Sequence, residues 1–308
     1  MSAAGSVGLA GAVSTDRDPP LRAMLRSLGE WYGRWRDAGG DPSASDPRAT
    51  RCPPAVGGVT LPIMLVVAAV CPCPPLLVPE VAAGAAAEMD VARAACTDAL
   101  GVLAAARPDR LVVVGPVELS GQSTYPEGTR GSFRGFGIDV DVRLGRVEQA
   151  EAEVPVPAAS ERSLPPSLAV AAWLLQRTGW SDAPIEGLGV GEPLAAERCI
   201  EVGREIAAGA ERVALLVMGD ASACRTLKAP GYLDERAAPF DAEVARALGA
   251  ADVAALKALD TELASELKAS GRAPWQVLAG AAEGSDLAGA LLYEDAPYGV
   301  GYMVATWS

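Results

Sequence analysis

The sequence predicts an α/β domain in three layers, a mostly parallel central sheet covered by helices on both faces. Three observations predict it. From residue 64 onward, apolar runs of strand length alternate with patterns of helical period. Two of those runs, "DRLVVVG" and "ERVALLVMG", open on an acid–arginine pair, close on glycine and are followed by polar residues. Half of the residues are hydrophobic, yet the longest apolar stretch, Leu61 to Val70, is far shorter than the roughly 20 residues of a spanning helix.

Taken in order, the first strand is "MLVVAAV", which begins at Met64 and breaks off at Cys71-Pro72-Cys73. A helix follows, with Met89, Ala92, Cys96, Leu100 and Leu103 on one face, and Pro108 introduces the strand "RLVVVG". "SLAVAAWLLQRTG" reads as a helix stopped by Gly179, "PIEGLGV" as a short strand, "ERCIEVGREIAAG" as a helix and "RVALLVMG" as a strand. A helix near Asp241 to Leu248 comes next, then one carrying Val253, Leu256, Leu259, Leu263 and Leu267 on its face. The closing strand is "GYMVATW", which completes a single domain over 64–308.

Residues 1–63 differ. Clusters such as "STDRDPP" and "GGDPSASDPRATRCPP" predict a poorly ordered leader. Between them, "LRAMLRSLGEWYGRWRD" places Leu21, Met24, Leu25, Leu28, Trp31, Tyr32 and Trp35 at helical spacing, one amphipathic helix. Two readings stand: a docking helix for a partner or membrane surface, or a loosely packed leader upstream of a start at Met64.

Composition narrows the function. With 39 Asp and Glu against 26 Lys and Arg, the chain does not offer the basic surface that nucleic acid requires. No membrane partner is expected either. Six cysteines in 308 residues are too sparse for a disulfide scaffold, which predicts a reducing, cytoplasmic setting. The chain has no histidine. That excludes serine–histidine hydrolysis, histidine-based zinc sites and the two-histidine, one-carboxylate iron site as they are usually built.

In an α/β sheet, ligands bind beyond the carboxyl ends of the strands. Three such ends are alike here: Cys71-Pro72-Cys73, Gly115-Pro116-Val117-Glu118 and Gly219-Asp220-Ala221-Ser222. Cys71 and Cys73, separated by one proline, are poorly placed for a mutual disulfide. Cys71, Cys96, Cys199 and Cys224 read as small buried hydrophobes. Asp220 and Ser222 are the candidate catalytic residues, orienting a ligand or water; in the alternative reading Gly219 permits a tight turn and they cap the next segment. "GSFRGFG" offers Arg134 to an anion, or simply close packing around its phenylalanines.

The segments "CPCPPLLVPE", "RPDRLVVVGP", "GSFRGFG", "GDASACR", "APGYLDERAAPFDAEV" and "YEDAPYGVGYMVATW", in that order, resemble the class III extradiol ring-cleavage dioxygenases, specifically their catalytic B subunit. The resemblance covers about 64–308. It implies a ferrous site of two histidines and a glutamate, with open positions for a catecholate and dioxygen. Cys73 stands where the first histidine would be, and the second belongs near Val117 or Glu118. Ala223 fills the place of the acid/base histidine, and Glu266 is the carboxylate nearest the expected glutamate.

The resemblance therefore implies a dioxygenase-like protein without its iron-ligand and acid/base histidines, with no cofactor expected. Its cleft, lined by Cys73, Glu118, Ala223 and Arg134, is retained for a small aromatic ligand in a homo-oligomer. The alternative is an active non-haem oxidoreductase that cleaves an aromatic diol with iron(II) or zinc held by Cys73, Glu118 and Glu266.

Overall fold

The computed structural model describes residues 64–146 and 163–308; the expected leader and its amphipathic helix lie outside the described residues. Nine strands are seen there: β1 (Met64–Cys71), β2 (Arg110–Val117), β3 (Gln122–Pro126), β4 (Arg130–Ser132), β5 (Asp141–Arg143), β6 (Ile185–Gly191), β7 (Arg212–Met218), β8 (Gly289–Asp295) and β9 (Tyr302–Trp307). The helices are α1 (Pro79–Ala82), α2 (Asp90–Ala105), α3 (Pro166–Thr178), α4 (Ala196–Ala207), α5 (Ala237–Gly249), α6 (Val253–Lys257), α7 (Thr261–Glu266) and α8 (Arg272–Ala281).

Seven strands form one sheet in the order β3-β6-β2-β7-β1-β9-β8, and β4 pairs with β5 in a separate ribbon. The four inner strands β6, β2, β7 and β1 are parallel. Both flanks are antiparallel, β3 on β6 at one edge and the β9–β8 hairpin on β1 at the other. The centre of the sheet is thus parallel, as the α/β reading predicted, and its antiparallel flanks make the sheet as a whole mixed. Two short links produce reversals, since a few residues suffice to turn a strand back: β3 follows β2 closely and runs back beside β6, and β8 and β9 form a hairpin.

Alternation along the inner strands sorts their side chains into two buried clusters. Val67, Ala69 and Cys71 of β1, with Leu111 and Val113 of β2, share one cluster with Ala92, Cys96 and Leu100 of α2 and Leu168 and Leu175 of α3. Leu65, Ala68 and Val70, with Val112 and Val114, share the other with Val202 of α4, Val244 and Leu248 of α5, and Trp275 and Leu278 of α8. Helices α4 and α8 approach backbone to backbone: a Cβ on Gly203 would meet the Val277 carbonyl oxygen, and one on Gly280 the Ile200 carbonyl oxygen.

One expected helix is broken in two. Asp252 accepts from the Ala255 amide and Asp260 from the Glu262 and Leu263 amides, so each aspartate starts its own short helix, α6 and α7. No helix among the described residues is long and apolar enough to cross a membrane.

Candidate functional site

The register of the parallel strands decides which loop residues meet. Cys71 of β1 pairs with Met218 of β7. Cys73 and Asp220 each lie two residues further on, and the Cys73 amide donates to Asp220 Oδ1 at 2.8 Å. The Gly219 amide donates to the Cys71 carbonyl at 3.0 Å, which ties the two strand ends together. Asp220 is then fixed from a third direction: its amide donates to Ser270 Oγ at 3.2 Å, and its carbonyl accepts from the Gly271 amide at 2.9 Å. Gly219 and Gly271 are in contact through their backbones, since a Cβ on Gly219 would strike the Gly271 Cα.

This cluster is closed. Cys73, Asp220 and Ser222 are fully buried, as is Tyr302 at the start of β9. Burial pushes the Cys73 thiol well above its ordinary range, and the adjacent Asp220 carboxylate pushes it the same way against an opposing hydrogen bond from Ser270. Cys73 is therefore a neutral thiol at physiological pH. The Tyr302 phenol is held up by burial, then by Asp220 and Cys73, and its hydroxyl makes no hydrogen bond to a described residue.

Ser222 serves a second carboxylate. Its amide and its Oγ donate to Asp241 Oδ1 and Oδ2, both at 2.8 Å, and Arg225 Nη1 adds a third bond at 2.9 Å. Burial nevertheless raises the Asp241 carboxyl above its ordinary value. The Ala221 amide donates to the Gly301 carbonyl and the Gly301 amide to the Ser222 carbonyl, at 2.8 Å each. These bonds strap the loop after β7 to α5 and to the turn before β9. Ala223 is buried, with its backbone engaged by Leu267 and Gly231.

The remaining expected residues are placed elsewhere. Glu118 is exposed just past the end of β2. Arg134 is exposed on the β4–β5 ribbon, bonded to Asp139 at 2.8 Å and Asp141 at 2.7 Å, and does not line the closed cluster. Glu266 ends α7 in an exposed ion pair with Arg236 at 2.5 Å. Among the described residues no three Cys, Asp or Glu side chains gather in a way that would hold a metal, so the set Cys73, Glu118 and Glu266 is not assembled. The physical reason is that Glu266 is drawn outward by Arg236, while Ser270, four residues on, occupies the inward position.

The sequence reading missed a buried ion pair beside this cluster. Glu192 follows β6 directly, and Arg272 opens α8 immediately after Ser270 and Gly271. Arg272 Nε donates to Glu192 Oε1 at 3.0 Å, and Nη1 donates to the Leu194 carbonyl at 2.8 Å and Gln276 Oε1 at 3.0 Å. Its Nη2 donates to the Glu192 carbonyl oxygen. Glu192 Oε2 is buried and has no partner among the described residues, so they satisfy only half of the carboxylate. Burial accordingly pushes Glu192 up to about 7, with Arg272 and the Ala273 amide pulling against it. The available signal was the form "GVGE", whose glutamate follows its strand as Glu118 follows "GPV".

Fold and site together define an α/β protein whose polar residues converge at the carboxyl edge of a mixed sheet. No family model and no curated protein matches the chain. Among solved structures it is similar to the crystal structure of uncharacterized protein JW3007 from Escherichia coli K12. The TM-score is 0.42 at 14% identity, covering 79% of this chain and 99% of that one.

Proposed function

We propose that the chain is a class III extradiol dioxygenase-like protein in which a closed, metal-free polar network has replaced the ring-cleaving iron centre. In this reading the domain has three layers, the two helix groups lying on opposite faces of the sheet, and a small aromatic ligand is bound rather than cleaved. The observation that carries it is the bond between the Cys73 amide and Asp220, at the position where the resemblance puts an iron ligand.

The donor chemistry does not fit ferrous iron or zinc. A metal takes cysteine as thiolate, and here burial and the neighbouring carboxylate favour the thiol. The chain has no histidine to complete a facial set or to take the proton of a catechol hydroxyl. What the residues do is structural at this point: Asp220 fixes the loop carrying Cys73, and Ser270 fixes Asp220.

The test is metal analysis of full-length protein made without a histidine tag in medium supplemented with iron and zinc, combined with oxygen uptake on catechols. Substoichiometric metal and no oxygen uptake, together with saturable quenching of tryptophan fluorescence by a catechol, is the expected result. One iron or zinc per chain, lost in Cys73→Ala, would overturn the reading in favour of an atypical oxidoreductase. Absence of any catechol binding would remove the ligand-binding half. A homo-oligomer is part of the same proposal, and native mass spectrometry reads it directly.

A further inference from the structure

A second polar concavity lies on the β4–β5 ribbon and shares no residue with the closed cluster. It is a cleft of about 570 Å³ whose lining includes Arg130, Arg134, Arg143, Ser132, Ser163 and Asp141, three cations against one anion among the described residues. That balance is the reverse of the whole chain's, which carries a net charge of −13. The volume falls in the range of small-molecule sites.

The ribbon's pairing shows why the cations are concentrated. Arg130 stands directly opposite Arg143, Gly131 opposite Val142, and Ser132 opposite Asp141. Alternation therefore puts Arg130, Ser132, Asp141 and Arg143 on one face. On the other, Val142 is buried, and a Cβ on Gly131 would meet Leu164 and Ala169. Like charges directly opposed on one face of a ribbon are destabilising unless a counter-charge joins them. Among the described residues none does: Asp141 and Asp139 are both bonded to Arg134. Arg143 donates to the Gly128 carbonyl at 3.3 Å, and Arg130 is engaged through its backbone carbonyl by Ser163 and Leu164. Gln176 of α3 holds the ribbon from beneath by donating to the Arg143 carbonyl at 3.1 Å.

From the opposed Arg130 and Arg143 and the serine hydroxyls beside them, we infer that this cleft binds a small anion bearing phosphate or carboxylate oxygens. The guanidinium planes supply forked donors that match such oxyanions, and Ser132 and Ser163 add neutral donors. Arg134 is held in place by its two aspartates, so the aspartates fix the third cation while leaving Arg130 and Arg143 to the ligand. The inference is independent of the dioxygenase reading and survives its failure.

Calorimetric titration of the full-length protein with pyrophosphate and, separately, citrate at low ionic strength tests it. Saturable binding that weakens with salt, and that falls roughly tenfold or more in Arg130→Gln/Arg143→Gln, is expected. Arg198→Gln, which alters a surface arginine bonded to Glu201 and Glu205, leaves binding unchanged. Tighter binding of pyrophosphate assigns a phosphorylated ligand, and tighter binding of citrate a polycarboxylate. Hydrogen exchange on the unmodified protein supplies a reading that does not depend on how the variants fold: pyrophosphate or citrate slows exchange at 130–132 and 141–143. No saturable binding of either anion, equal binding by the double variant, or unchanged exchange in the ribbon overturns the inference.

Discussion

Two glutamates leave the sheet at the same step. Val117 of β2 pairs with Gly191 of β6, and the next residue on each strand is Glu118 and Glu192. Glu118 is exposed, whereas Glu192 is drawn under the first turn of α8 and bonded to the buried Arg272. Equal positions along neighbouring strands thus give unequal chemistry. Strand register decides which residues reach the carboxyl edge, and the segment that crosses that edge decides which of them leave water. Here that segment is Ser270-Gly271-Arg272, which fixes Asp220 with its first two residues and Glu192 with its third.

The largest expected effect comes from breaking the buried side. Arg272→Met leaves Glu192 enclosed without its cation, and urea unfolding at pH 8 should show a loss of about 3–5 kcal/mol. Next is the pH dependence of the wild type. Glu192 is raised from 4.5 to about 7 in the folded state. The native state therefore holds a proton that the unfolded chain releases, and the contribution is fully present below about 4.5 and lost as pH rises through about 7. At ~1.4 kcal/mol per unit the loss is about 3–4 kcal/mol, and Glu192→Gln should flatten the stability profile across that window.

A smaller effect is expected one loop away. Ser222→Ala removes one of the hydroxyl and amide donors that satisfy the buried Asp241, and thermal unfolding should report a loss of about 1–2 kcal/mol. Smallest is Glu118→Gln, which should leave the unfolding midpoint where it is in the wild type, since exposed substitutions rarely shift stability. A large effect of Glu118→Gln, or none of Arg272→Met, would break the contrast between the two strand ends.

Much of the fold could be read in advance because apolar periodicity is local. The four parallel strands, and the helices at Asp90–Ala105, Pro166–Thr178, Ala196–Ala207 and Ala237–Gly249, follow from it. β3, β4, β5 and β8 did not, because strands such as "QSTYP" and "RGS" are short, half exposed and carry no apolar run. The candidate site was half legible. Cys73 and Asp220 were singled out as strand-end residues and do meet, but Glu266 was set beside them on the strength of a nearby segment, and an ion pair with Arg236 holds it at the surface. Tyr302 lies in the closing strand that periodicity marks, but nothing local shows that its phenol is buried beside Asp220 and Cys73.

The sequence by itself determined what this chain cannot build: without a histidine there is no histidine ligand and no imidazole base, whatever the fold. It also determined which residues stand at the strand ends, since that depends only on where apolar runs stop. Only the tertiary structure decided which of those ends touch. Cys73 and Asp220 are 147 residues apart, and Glu192 and Arg272 are 80 apart. Their contacts exist because β7 pairs with β1 in register and because α8 starts over the carboxyl edge. Burial follows from that assembly, and burial is what keeps Cys73 a thiol and lifts Glu192 toward neutrality.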